Sequence, residues 1–179
     1  MILNVDDNQL TGLDVSQNTE LTFLSVASNQ PTGLDVSQNT ELTQLVCANN
    51  NISGLDVSQN TLLTHLNCSL NNNLSQLDVS NNPFLTNLFC EQIDLSELNI
   101  AQNIQLEILW CGFNQLTILD VSNNASLTWL CCQMNSLVEL DISNNTDLNS
   151  LCCFGNYNSN TDSELNCVQV WDIDYAEKN

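Results

Sequence analysis

Apolar and polar positions recur along this chain with one long, fixed period. The string Leu-Asp-Val-Ser begins at Leu13, Leu34, Leu55, Leu77 and Leu119, and its variants Leu98-Asn-Ile-Ala and Leu140-Asp-Ile-Ser fall in the same phase. Successive steps are 21, 21, 22, 21, 21 and 21 residues. Each unit reads L-x-x-L-x-(C/V)-x-x-N-x-L and then x-x-L-D-V-S-x-N-x-x. Copies run over 21–41, 42–62, 63–84, 85–105, 106–126 and 127–147; residues 1–20 lack the first positions, and the copy from 148 degenerates after Asn156. The x-Leu-x-(Cys/Val)-x part alternates as a half-buried strand does. A unit this short cannot bury its apolar side alone, so the copies must stack into a solenoid. The stacking predicts one strand per turn, paired into a parallel sheet on a concave face. The Asp-, Ser- and Asn-rich remainder is too short for a convex helix and predicts extended or turn segments.

This is the leucine-rich repeat signature, of the right-handed β/α superhelix class, here β-rich with almost no helix and about seven to eight turns. It accounts for an odd composition. The 179 residues include thirty Leu and thirty Asn, a third of the chain. Leu fills the core. One Asn column (Asn8, Asn29, Asn50, Asn71, Asn114, Asn135, Asn156) follows the strand, where its amide can bond backbone groups of adjacent turns. A second (Asn18, Asn39, Asn60, Asn82, Asn103, Asn124, Asn145) follows the Leu-Asp-Val-Ser segment and should organise the convex turn. In 85–105 the ladder Asn is Ile93, with Asn99 and Ala101 for the Asp and Ser, and 63–84 carries an extra Asn in Asn71-Asn72-Asn73. The solenoid is expected to be locally irregular there.

Charge narrows the partners. One Lys, no Arg and twenty-one Asp plus Glu give a net charge of −20. Nucleic acid and anionic membrane surfaces need clustered cations that are absent, and no apolar run approaches the ~18 residues of a membrane span. A neutral or basic ligand suits such a chain. Six of nine cysteines share one inward-facing position: Cys47, Cys68, Cys90, Cys111, Cys132 and Cys153. They read as reduced core-filling groups, because in-register neighbours carry parallel Cβ vectors unsuited to disulfides. No CxxC pair exists, so neither zinc nor any other cofactor is expected. Cys131 and Cys152 each precede a ladder cysteine and should project from the concave face as free thiols or a strained, reducible pair. Cys167 falls in the terminal segment, packed in a cap.

Concave-face positions can be read off the unit, and in the last four repeats they turn apolar and aromatic: Phe89, Ile108, Trp110, Phe113, Trp129, Met134 and Phe154. Rungs about 4.8 Å apart make these one contiguous patch, and such patches mark binding sites, with Trp the residue most enriched at their centres. Coverage by a capping segment or another domain is the competing account. A protein surface is the leading ligand; a glycan is the alternative, since aromatic faces flanked by Asn, Gln and Glu also suit sugar rings. A purely structural spacer is the third reading. The Asp column (Asp14, Asp35, Asp56, Asp78, Asp120, Asp141) is either solvated and capped by turn N–H groups or bridged by calcium. An enzyme has one foothold, a Cys–His pair, but His65 and Cys131 lie three rungs, roughly 14 Å, apart, far beyond the ~3 Å that thiol activation needs.

The 21-residue unit, the Leu-Asp-Val-Ser segment and the cysteine ladder together resemble bacterial surface leucine-rich repeat proteins related to the internalins, over roughly residues 1–160. The resemblance implies a secreted or cell-surface protein, acting as a monomer without catalysis, that binds a host, neighbouring-cell or matrix molecule. It divides the chain into an array over 1–160 and a degenerate capping segment over 161–179, in which Leu165-Asn-Cys-Val-Gln-Val resembles the strand closing such arrays. Met1-Ile-Leu-Asn enters in the middle of a repeat, with neither signal peptide nor N-terminal cap, so the chain reads as a piece of a longer protein.

Overall fold

A computed structural model describes residues 1–158 and 163–165. Eight three-residue strands follow one another: β1 (Ile2–Asn4), β2 (Phe23–Ser25), β3 (Gln44–Val46), β4 (His65–Asn67), β5 (Asn87–Phe89), β6 (Ile108–Trp110), β7 (Trp129–Cys131) and β8 (Ser150–Cys152). They pair in sequence order as one parallel sheet, each equivalent position opposite the next (Leu24↔Leu45, Leu88↔Leu109). A short antiparallel ribbon of β9 (Tyr157–Asn158) and β10 (Ser163–Glu164) follows. No helix occurs among the described residues, so none is long and apolar enough to cross a membrane. The expected capping segment lies outside the described residues except at 163–165, as does Cys167. Within that window, the Leu165 N–H donates to the Asn156 carbonyl and the side chain is buried.

Alternation places the strand leucines. The middle residue of β2 to β7 points inward and is fully buried, while its two neighbours line the concave face. The ladder position lies deeper still: Val26, Cys47, Cys68, Cys90, Cys111 and Cys132 have no exposed surface. Burial pushes the Cys47 and Cys132 thiols up to about 12, so they act as small hydrophobes. Cys153 corrects the expectation of a uniformly reduced ladder. It occupies the last ladder rung among the described residues and is disulfide-bonded.

The two Asn columns solve different problems. At the first, Asn50 donates from Nδ2 to the carbonyls of Val26, Cys47 and Ala48 and accepts the Asn29 N–H at Oδ1. Every polar atom of the amide is used. At the second, Asn60 donates to Val36 and Asn39 carbonyls, but its Oδ1 is buried without a partner, as it is in Asn39, Asn82, Asn103, Asn124 and Asn145. The expected irregularity is confined to turns. The extra residue of 63–84 is absorbed in the Asn71–Asn73 turn, Leu74 donating back to the Asn71 carbonyl, and the β4–β5 register continues unbroken. Around Ile93 the backbone is left-handed at both Gln92 and Asp94, and the Ile93 side chain joins the core.

The Asp column is capped rather than bare. Asp14, Asp35, Asp56, Asp78, Asp120 and Asp141 each accept the N–H of the Ser two residues on, at 2.8–2.9 Å. Those Ser backbone and hydroxyl donors hold the carboxyls below their usual range, which is the turn-capping alternative. Among the described residues no group of three or more His, Cys, Asp or Glu is placed to hold a metal.

Candidate ligand-binding face

Flat strands present side chains to the concave side at a spacing where rings on neighbouring rungs meet. Phe89 and Trp110 occupy the third position of β5 and β6, and Trp129 the first of β7. Their rings form a continuous row: Phe89 to Trp110 at 5.2 Å between centroids and 83° between planes, Trp110 to Trp129 at 5.2 Å and 62°. Both contacts are edge-to-face, each worth about 0.5–1.5 kcal/mol beyond burial. Ile108 stands beside Trp129 in register. Phe89, Ile108 and Trp110 are half-buried, while Trp129 stays 39% exposed. The Trp110 Nε1–H is shut away from water with no hydrogen-bond partner. An orphan donor of this kind costs about 1–3 kcal/mol, so the indole is a poor choice if only stability mattered.

The other three expected site residues form a second row at the strand ends. Phe113 and Met134 share a column in which the backbone is left-handed at every turn: Asp7, Ser28, Asn49, Leu70, Gln92, Phe113, Met134 and Gly155. Phe154 sits one position earlier, its carbonyl accepting the Met134 N–H. All three are exposed, Phe154 by 60%. Leu70, at the same column and also exposed, extends this row toward the N-terminus. Sequence reasoning passed over Leu70, although its position two residues after ladder Cys68 was signal enough.

A bulky side chain in the left-handed region costs roughly 1–2 kcal/mol. Phe113, at φ 56°, returns little of that through burial. Phe113→Asn, the residue already used at the equivalent Asn49, is therefore expected to raise stability by about 1 kcal/mol while removing an exposed ring from the patch. Chemical denaturation checks this; a lower midpoint would show that Phe113 is held by packing after all.

Cys131 corrects a second expectation. It faces the concave side, in register with Trp110 on one flank and Cys152 on the other, but is buried at 7% exposure. The small thiol sits low beside the larger Trp110, and Gln133 Oε1 lies 3.9 Å from its sulfur. Burial, then contact with Cys152, pushes this thiol up. Both sulfurs are free, and Cys152 is half-exposed. His65 accepts or donates locally at Thr64 Oγ1, 2.9 Å from Nδ1, on β4, three strands from Cys131.

Sequence reasoning also missed three residues between the two rows. Glu91, Gly112 and Gln133 follow ladder cysteines on successive rungs, in the column Asp6, Ala27, Ala48, Ser69, Glu91, Gly112, Gln133, Phe154. A Cβ built on Gly112 would stand 3.0 Å from Gln133 Cγ, 3.1 Å from the Gln133 carbonyl oxygen and 3.4 Å from Glu91 Oε1. Burial holds the Glu91 carboxyl above its ordinary range.

Solved structures carry the same architecture. The functional domain of InlJ from Listeria monocytogenes, whose structure includes a cysteine ladder, is 35% identical with a TM-score of 0.66, over 86% of this chain and 44% of that one. This chain is an internalin-like leucine-rich repeat protein. A second internalin of L. monocytogenes, InlF, gives 23% identity and a TM-score of 0.79, covering 84% of this chain and 46% of that one. A leucine-rich repeat protein of Leptospira interrogans gives 22% and 0.51, covering 84% and 54%. The internalin-like array thus spans about half the length, or less, of the structures it matches. No protein-family model matches it, and no curated protein sequence does so significantly.

Proposed function

We propose that this array is the recognition module of a secreted or cell-surface bacterial protein, non-catalytic, which holds a protein partner against the C-terminal half of its concave face. The ring row Phe89–Trp110–Trp129 carries the reading. It puts three aromatic side chains on an open sheet, keeps an indole donor unpaired and leaves Trp129 exposed. Phe113, Met134 and Phe154 continue it as a rim. Patches of this composition, with rigid aromatic anchors at the centre, are what protein interfaces desolvate. The likeness to internalin structures supports a binding module of this kind, and the resemblance of the repeat to surface proteins supports the location.

A glycan ligand rests on the same rings, since Trp129 offers a face to a sugar and Gln133 a hydrogen-bonding edge. Two screens in parallel separate the classes: a glycan array, and a library of folded protein domains displayed on phage. Protein binders that compete with one another at the Trp129 face are the expected result. Saturable binding on the glycan array with no patch-directed protein binder would overturn the protein reading in favour of the sugar.

A further inference from the structure

A charge lies between the two apolar rows, with no cationic side chain paired to it among the described residues. Glu91 is half-buried, and its side chain takes no hydrogen bond among the described residues. The chain's one Lys, Lys178, is outside those residues and Arg is absent, so no described side chain except His65 can offer a cation. His65 is on β4, with its Nδ1 engaged by Thr64. The carboxylate leans over the next rung, with Oε1 3.4 Å from where a Cβ on Gly112 would stand.

Gly112 explains how it gets there. The backbone at Gly112 is not left-handed, so glycine is not needed for conformation. It is needed for space. Every other member of its column has a side chain, whereas a Cβ here would crowd Gln133 Cγ at 3.0 Å and touch Glu91 Oε1 at 3.4 Å. The result is a polar cradle whose floor over Gly112, two residues after Trp110, is closed by the Glu91 carboxylate and the Gln133 side chain.

We propose that this cradle receives an arginine or lysine side chain of the protein partner, the cation lying between the Glu91 carboxylate and the Phe89–Trp110–Trp129 row. The proposal rests on the concave-face reading above and names the chemistry that the partner brings. Three features agree on it. A half-buried carboxylate without a counter-ion gains most from a cation that arrives with its own desolvating surface. Aromatic faces add a cation–π attraction that a neutral side chain lacks, and a planar guanidinium can stack on the ring and pair with the carboxylate at once. A net charge of −20 steers basic partners toward the whole molecule.

The test uses a random peptide library displayed on phage and panned on the full chain, with the selected peptides then measured in solution. The expected result is a shared Arg or Lys in those peptides and affinity that falls as salt rises. Glu91→Gln should weaken binding at least tenfold, and should weaken it no further once the peptide's basic residue is replaced by Ala. Gly112→Ala, which pushes Glu91 and Gln133 apart, should weaken binding in the same direction. Peptides that are lost on the Trp110→Ala, Trp129→Ala double variant yet indifferent to Glu91→Gln would overturn the cradle and leave the aromatic face standing. A library that yields no binder, or only binders indifferent to the Trp pair, would overturn both.

Discussion

Asn114→Ala is expected to destabilise the array by roughly 4 kcal/mol or more, whereas Asn103→Ala, at an even more deeply buried site, is expected to cost only about 1 kcal/mol. Burial alone predicts the reverse order, since Asn103 is fully buried and Asn114 retains 9% exposure. The difference lies in what each amide leaves behind. Asn114 Oδ1 accepts two backbone N–H groups, from Ile93 and Leu95, where Asn29, Asn50, Asn71, Asn135 and Asn156 each accept one. Its Nδ2 reaches the carbonyls of Cys90, Cys111 and Gly112. The Cys111 carbonyl also has Asn135 and the Gly112 carbonyl has the Gln92 N–H, but the Cys90 carbonyl has no other donor among the described residues. Alanine thus strands three interior backbone groups, each worth about 1–3 kcal/mol when unpaired.

Ile93 is the reason Asn114 is so exposed to loss. A ladder carbonyl is ordinarily served by two amides, one from its own turn and one from the next, as Cys47 is by Asn50 and Asn71. Replacing Asn by Ile93 halves the service to Cys90 and leaves both neighbouring N–H groups to Asn114. Asn103 stands in no such position. Its two acceptors, the carbonyls of Val79 and Asn82, keep the N–H groups of Asn82 and Leu85 when it is gone. Its own Oδ1 is an orphan, and truncation removes that penalty along with the two bonds. Equilibrium denaturation of the two variants is the measurement. Equal losses would mean that the columns are interchangeable space-fillers and that the hydrogen-bond inventory does not govern stability.

The period of the sequence determined nearly all of this architecture, because a solenoid turn meets only its neighbours and one aligned repeat places every column at once. The eight strands, the buried Leu and Cys positions and both Asn columns follow from phase alone. What phase does not carry is height above the sheet. Cys131 and Trp110 hold equivalent positions on adjacent strands, yet the thiol is buried and the indole only half-buried, because accessibility depends on the size of the side chain as well as its phase. For the same reason the aromatic rows were legible and the cradle was not. Glu91, Gly112 and Gln133 are unremarkable one at a time, and only the missing Cβ of Gly112 lets side chains from two turns lean into one space. Cys153 looked like five others in its column, and its disulfide was not legible from phase.

Replacing Trp110 and Trp129 together by Ala is expected to weaken partner binding by about 100-fold or more, as loss of two central aromatic anchors commonly does, with the fold intact. The two effects separate because of where the rings stand. Leu109 and Leu130, each next in sequence to one of these residues, are fully buried and carry the core; the indoles lie on the other side of the strands, where their ring contacts are with one another and with Phe89. Truncating them forfeits the edge-to-face contacts, about 0.5–1.5 kcal/mol apiece. It also abolishes the orphan Trp110 Nε1–H, an unpaired buried donor whose removal returns about 1–3 kcal/mol. These two terms are of similar size and opposite sign. The burial of the half-buried Trp110 ring is lost besides, so the denaturation midpoint should fall while the Leu and Cys core keeps the array folded. Binding has no such offset, because a flat sheet of three-residue strands offers few other anchors and the exposed rim of Phe113, Met134 and Phe154 surrounds the rings rather than replacing them. A double variant that binds as the parent does would place recognition elsewhere; one that unfolds would show that the ring row belongs to the core, and that its exposure is incidental.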